Sequence, residues 1–324
     1  MNKPVRILSI DGGGIRGILP AGFLSVLEER LQAKAGNSEL TIADFFDFIA
    51  GTSTGGVLTC IYLTPDEKNP LKPRYSARDA LNLYMRYGFA AFSKQNPGSF
   101  HKYYPEELEN SLQLFFKDLH LSQLLKPCCV TAYDLLHSEP FTFQSQKAMG
   151  NPKYDFFVRA VSRACSALPG VFPPASIISL AERNYTFIDG SIFAYNPAMY
   201  AFIQARQLFP QASDYLVLSL GTGVSTNYYS EEQLNNDSEG NWARLLADIA
   251  FAAHSDNVNF ELNEIFKTWG NSRYIRLQPS LLGLSKDLDN VSEDNINALQ
   301  KSAEAFIKLN EKTMNELVDL LNNE

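Results

Sequence analysis

Long apolar runs are missing from this chain of 324 residues. No stretch approaches the roughly 18 consecutive apolar residues that a membrane-crossing helix needs. The first ten residues run straight into a glycine-rich motif with no apolar signal segment, so a soluble, cytoplasmic chain is expected. A basic excess is missing as well. The 28 Lys and Arg are outnumbered by 36 Asp and Glu, a formal charge of −8, which argues against a nucleic-acid partner. Cysteine and histidine are scarce, with four of each. Cys60, Cys128, Cys129 and Cys165 have neither CxxC spacing nor histidine companions, so no zinc site or disulfide framework is indicated. They read as core thiols of a reducing compartment. No ligand cluster for a metal and no cofactor motif stands out elsewhere, which argues against a calcium-dependent lipase. Internal repeats and low-complexity tracts are absent too.

The sequence does carry two glycine motifs. Residues 51–55 read Gly-Thr-Ser-Thr-Gly, a GxSxG pattern between apolar residues 45–50 and 57–63. Ser53 therefore falls where a strand hands over to a helix, a sharp turn that projects the hydroxyl outward. Gly51 and Gly55 suit that turn because strained backbone and close neighbours leave no room for a Cβ. The helix that follows directs unpaired N–H groups and its positive dipole end toward the place where negative charge would develop.

Residues 11–17 read Asp-Gly-Gly-Gly-Ile-Arg-Gly, after the β-branched, apolar Val5–Ile10. That is how a buried parallel strand reads, with a helix to follow over residues 19–34. Consecutive glycines in such a loop can turn Gly12, Gly13 and Gly14 N–H groups into a concave nest for an anion. In an esterase that anion is the tetrahedral oxyanion. Gly12, Gly14 and Gly17 also fit GxGxxG, so a dinucleotide site competes. It lacks the ribose-binding acid about 20 residues on. Asp11 would also set a carboxylate against the pyrophosphate.

A serine nucleophile needs a base. Among His101, His120, His137 and His254, only His254 comes late enough for the Ser, Asp, His order of α/β hydrolases. It lies in residues 242–266, whose apolar spacing is helical, where a lone histidine is ordinarily one more helix residue. Asp189 is the carboxylate candidate, at the end of a short strand-like stretch and before Gly190. Asp-Gly is also a common turn pair.

With these residues in view, the chain resembles the patatin-like lipid acyl hydrolases. The likeness rests on DGGGxRG, on Gly-Thr-Ser-Thr-Gly-Gly from Gly51 to Gly56, and on Asp189-Gly190, in that order. Ala164-Cys165-Ser166-Ala167 before Phe172-Pro173, and Ser219-Leu220-Gly221-Thr222-Gly223, extend it to about residue 223. The resemblance implies a Ser-Asp dyad, with Ser53 as nucleophile and Asp189 as base. An aspartate near its ordinary pKa of about 3.9 is a weak base toward an alcohol, which raises the demand on a dry site and on the oxyanion hole. Ser191 departs from the family, which commonly has Gly or Ala there. Arg16 matches the family's arginine, either pinning the loop or meeting a phospholipid headgroup.

The expected fold is α/β, a three-layer α/β/α sandwich around a mostly parallel sheet, patatin-like. One domain is expected over residues 1–324, with a docked C-terminal helix at about 292–321, capped by Ser292. Strands are expected at Val5–Ile10, 47–51, Cys128–Asp134, 185–188, Tyr215–Leu220 and 274–277, with the catalytic loops at strand carboxyl ends. Residues 64–74 and 226–241 read as long surface loops. Residues 84–92 with Phe100, Tyr103 and Tyr104 are strongly aromatic, with Arg86, Lys94 and Lys102 interspersed; they suit either core packing or transient membrane-surface contact. The expected partner is a lipid substrate, cleaved through an acyl-enzyme. A fold that holds a lipid or nucleotide without turnover is the alternative.

Overall fold

The computed structural model of the protein describes residues 3–224, 231–235 and 239–322. Its centre is an eight-stranded sheet in the order β5-β6-β3-β2-β1-β7-β8, with β4 also on β3. The strands are β1 (Val5–Ile10), β2 (Phe48–Thr52), β3 (Cys128–Asp134), β4 (Glu139–Gln144), β5 (Ala175–Ile178), β6 (Asn184–Asp189), β7 (Tyr215–Leu220) and β8 (Arg273–Leu277). Strands β3, β2, β1, β7 and β8 run parallel. Strands β4 and β6 pair antiparallel with β3, and β5 antiparallel with β6.

β1 is buried at all six positions because helices cover both faces of the sheet. Its alternate residues part: Leu8 and Ile10 pack into one core, Val5 and Ile7 into the other. The first core is closed by helices Ile18–Ala35, Thr54–Tyr62, Ala77–Ala91 and the two C-terminal helices. The second lies under helices Ala198–Leu208 and Glu239–Lys267. Adjacent Cys128 and Cys129 likewise point to opposite cores, and all four thiols are free and buried. This is the expected three-layer α/β architecture. No helix among the described residues is long and apolar enough to cross a membrane.

Two strands escaped the sequence reading. β4 contains Pro140 and is exposed over its first two residues, as suits an outer strand that needs fewer ladder bonds. β5 has four residues and follows Pro173 and Pro174. The C-terminal segment differs from the single expected helix. It is two helices, Glu293–Leu309 and Glu311–Asn322, the first capped by the Ser292 side chain and ended at Asn310. Asn310 carries its own N–H to the Phe306 and Ile307 carbonyls and its side-chain amide to Phe306. That local bonding ends one helix and lets the next start in a new direction. Of the loop expected at 226–241, residues 226–230 and 236–238 lie outside the described residues, while Glu231–Leu234 is helical and a long helix starts at Glu239.

One buried acid ties the layers. Glu28, 3% exposed, accepts the Ile42 and Ala77 N–H groups at 2.7 Å each, joining its helix to the starts of two others. Burial pushes its pKa up to about 7 against the pull of those two donors.

Candidate active site

The register of β3 explains how the site is assembled. Ala132 pairs with Phe141 on one side and with Asp189 on the other, while Thr131 pairs with Thr142 and with Thr52. β2 and β6 therefore share one edge of β3 and approach each other head-on. β2 stops at Thr52 opposite Thr131; β6, running the opposite way, stops at Asp189 opposite Ala132. Ser53 and Asp189 meet where the two strands end. Asp189 is thus at a strand carboxyl end, as expected, but on an antiparallel strand entering from beyond the parallel ones.

Ser53 has φ 53° and ψ −121°, one of the few non-glycine residues with positive φ. Holding such a conformation costs on the order of 1–3 kcal/mol, and here it aims the side chain off the sheet instead of along it. The turn is packed to its limit. A Cβ on Gly51 would collide with the Gly55 carbonyl, and one on Gly55 with the Ile10 carbonyl. Ser53 is 9% exposed, and its own carbonyl accepts the Val57 N–H at 3.1 Å, starting the helix.

Asp189 is fully buried. Its Oδ1 accepts both the Ser191 N–H and the Ser191 hydroxyl at 2.8 Å each, which fixes the carboxylate plane. Oδ2 has no partner in hydrogen-bond geometry among the described residues. Burial pushes the Asp189 pKa up to about 6, while the Ser53 hydroxyl and the two Ser191 donors pull it down. Ser53 is therefore close enough to act on the carboxyl, yet no well-formed bond closes on Oδ2. Loose contacts of this kind are common where a pair tightens only around substrate. The carboxyl is a stronger base than the ordinary aspartate that the sequence suggests.

The glycine loop is held by its carbonyls. Thr222 donates its hydroxyl to Gly12 O, Arg16 Nε and N–H reach Gly13 O at 3.3 and 3.2 Å, and Thr54 and Tyr84 hydroxyls reach Gly14 O at 2.8 and 2.7 Å. The amides divide. Gly12 N–H donates to the Tyr195 carbonyl at 3.1 Å, so it is not free for an anion, which corrects the expected trio of donors. Gly13 and Gly14 N–H have no acceptor among the described residues, and both residues line the cavity at Ser53. Gly14 has φ +56°, a left-handed turn that glycine adopts without strain. Gly12 contributes by being small: a Cβ there would lie 3.4 Å from Ser53 Cβ and 2.8 Å from Ser191 Oγ.

Asp11 is turned away from this loop. It is paired with Arg276 of β8, Nη1 to Oδ1 at 2.8 Å, and both groups are buried. A pyrophosphate would not meet it there, so the charge argument against a dinucleotide does not apply. None of the four histidines lines the Ser53 cavity. His254 sits on the helix Glu239–Lys267 with Nδ1 accepting the Asn196 N–H at 3.5 Å, and burial lowers its pKa. Among the described residues no group of three or more His, Cys, Asp or Glu side chains is placed to hold a metal ion.

The Ser53 cavity is narrow, about 40 Å³, walled mainly by Tyr84, Tyr87, Phe92, Phe172 and Leu168. The aromatic segment thus divides residue by residue. Tyr84, Tyr87 and Tyr103 are buried, and Phe92 stacks on Phe172 at 5.7 Å. Phe89 and Phe100 are 61% and 78% exposed. Thr222 entered the sequence reading only within the motif at residues 219–223, and Tyr195 and Arg276 were missed as parts of the site. Each braces the glycine loop from a distant segment, and Tyr195 and Arg276 have no local pattern to mark them.

A sequence model of the patatin-like phospholipases matches residues 8–202, from β1 to the helix after Asp189. The chain belongs to the patatin-like phospholipase family. Patatin-like protein 6 of Arabidopsis thaliana is 31% identical over 98% of this chain and 70% of its own length. Patatin-17 of Solanum cardiophyllum is 28% identical over 95% of this chain and 85% of its own length. A third relative, from Arabidopsis thaliana, is 32% identical over 86% of this chain and 75% of its own length, and is named "Probable inactive patatin-like protein 9". Lipid acyl hydrolysis is the activity that membership of the patatin-like phospholipases implies. Since the family includes a member so named, turnover by this patatin-like chain has to be argued from its own site.

Proposed function

We propose that this protein hydrolyses lipid acyl esters through a Ser-Asp dyad and an acyl-enzyme. Ser53 attacks the ester carbonyl, Asp189 Oδ2 takes its proton, and the Gly13 and Gly14 N–H groups hold the oxyanion. As the tetrahedral intermediate collapses, the protonated Asp189 gives the proton to the leaving alkoxide. Water then repeats the sequence on the acyl-Ser53 ester, with Asp189 again as base.

The observation that carries the reading is the division within the glycine loop. All three carbonyls are tied, while the Gly13 and Gly14 amides have no acceptor among the described residues and both residues line the serine cavity. Unpaired amides beside a strained serine are costly to maintain unless an anion forms there. The carboxyl with a pKa of about 6 and one unpartnered oxygen completes the requirement for a base. The apolar walls suit an acyl chain. Exposed Phe89 and Phe100, near Arg86, Lys94 and Lys102 in sequence, provide a surface for transient contact with a bilayer.

Turnover of p-nitrophenyl butyrate by purified variants tests the scheme. Ser53→Ala and Asp189→Asn are expected to lose at least about a thousandfold in kcat/KM, as removal of a nucleophile or base does, and His254→Ala is expected to stay within about threefold. Activity retained in Asp189→Asn and lost in His254→Ala would point to a triad instead.

A further inference from the structure

The Ser191 hydroxyl has no part in the scheme above, yet it stands inside the site. Backbone N–H and hydroxyl of Ser191 both donate to Asp189 Oδ1 at 2.8 Å, so the backbone donor alone would already fix the carboxylate plane. The side chain is 4% exposed and lines the serine cavity. With its hydrogen committed to Oδ1, Ser191 Oγ presents lone pairs that no donor among the described residues meets. Gly12 shows where those lone pairs lie. The point at which a Cβ would stand on Gly12 is 2.8 Å from Ser191 Oγ, 3.4 Å from Ser53 Cβ and 3.5 Å from Tyr195 Cδ2. Nucleophile and second hydroxyl thus flank one bare glycine and share one buried carboxylate, whose Oδ2 is unpartnered among the described residues.

The surroundings suit water at this point. A cavity of about 40 Å³ exceeds the roughly 10–15 Å³ that one water needs, and a buried water needs at least two polar partners. Tyr195, with Phe251 and Leu288, is also a wall shared with a larger adjoining cavity of about 440 Å³, whose lining includes Asp256, Gln278 and Lys286. That is the polar side of the site, opposite in character to the Tyr84, Tyr87, Phe92 and Phe172 wall.

We infer that Ser191 is the positioning residue for the water that deacylates Ser53: its Oγ accepts one of the two water hydrogens while Asp189 Oδ2 takes the other. The inference rests on the hydrolase reading of the site. In this step the water O–H bond breaks toward Oδ2 as the water oxygen bonds the acyl carbon. Collapse of the intermediate breaks the Ser53 Oγ–C bond, returns the proton to Ser53 Oγ and releases the fatty acid. Water donates to Ser191 Oγ and Ser191 donates to Oδ1, so the chain ends on the carboxylate that receives the proton, and each bond polarises the next. An alcohol cannot take the same place. Methanol has a single O–H, which must go to the base, and its methyl group donates nothing to Ser191.

That difference supplies the test. Wild type and Ser191→Ala are given p-nitrophenyl butyrate with added methanol at about pH 8, above the acid limb expected from a base of pKa about 6. Methyl butyrate and butyric acid are then quantified. The ratio of ester to acid is expected to rise by about 3- to 10-fold in Ser191→Ala, the effect of losing one neutral hydrogen bond made by water alone. Ser191→Thr, which keeps the hydroxyl, is expected to hold the ratio within about twofold of wild type; an equal rise there would overturn the role of the hydroxyl. A lower total rate in Ser191→Ala with an unchanged ratio, no ester from either protein included, would also overturn it, because a serine that only tunes Asp189 slows both acceptors alike. Failure of the hydrolase reading looks different. Ser53→Ala as active as wild type would remove the acyl-enzyme and both readings with it, whereas methyl ester from the wild type with no change of ratio in Ser191→Ala removes the role of Ser191 alone.

Discussion

Asp189 gains basicity from the loss of water around it, and that has two consequences that can be measured. Since burial raises its pKa to about 6, kcat/KM should rise with pH along an acid limb centred near 6 and then level off. Replacing Ser191 by Ala removes a donor that holds the pKa down, so the limb should move to higher pH. The second consequence concerns stability. A carboxyl whose folded pKa exceeds its unfolded value stabilises the fold fully only below the unfolded pKa, and that contribution is lost as pH rises through about 6. Asp189→Asn, which keeps an acceptor for both Ser191 donors, should match the wild type near pH 4. Above pH 7 it should be more stable by up to about 3 kcal/mol, the free energy of a shift from 3.8 to about 6. Urea unfolding at the two pH values checks this. At this scale the sequence was informative for Ser53 and Asp189, because each sits in a short pattern with a mechanical reason. It was silent on the division among Gly12, Gly13 and Gly14, which depends on the Tyr195 carbonyl reaching in from a distant segment.

Strand ends, more than any loop, make the site. β2 and β6 abut on one edge of β3, so a change that shifts either strand by one residue would separate Ser53 from Asp189. The serine turn tolerates no added atoms, and Gly51→Ala should fail to accumulate as folded protein or lose several kcal/mol, seen as a lowered Tm or insolubility. Glu28→Gln replaces one of two acceptors for the Ile42 and Ala77 N–H groups with a donor. A loss of about 1–3 kcal/mol in urea unfolding is expected, with activity per folded molecule unchanged. The parallel strands were legible because burial on both faces writes continuous apolar runs such as Val5–Ile10 and Tyr215–Leu220. β4 and β5 were not, being short, partly exposed and flanked or interrupted by proline. The C-terminal break at Asn310 was hidden by helical spacing that continues on both sides of it.

Across the whole molecule, the site depends on contacts between segments far apart in sequence. The buried Asp11–Arg276 pair joins the glycine loop to β8, so Arg276→Met, which strands Asp11, should destabilise by about 3–5 kcal/mol. Fold class was open to sequence reading since layers follow from apolar patterning, whereas the wall shared by the two adjoining cavities draws Tyr195, Phe251 and Leu288 from three distant segments. Ser53 is one serine among many, and the chemistry proposed for it follows from what the fold sets around it: a strained turn, the Gly13 and Gly14 amides and the buried Asp189 carboxyl. Fluorophosphonate labelling followed by peptide mass spectrometry, on native and on urea-unfolded protein, tests this most directly. The prediction is a single adduct on Ser53 in the native sample, absent after unfolding and absent in Asp189→Asn. No native adduct, or an adduct on Ser191 in place of Ser53, would contradict it.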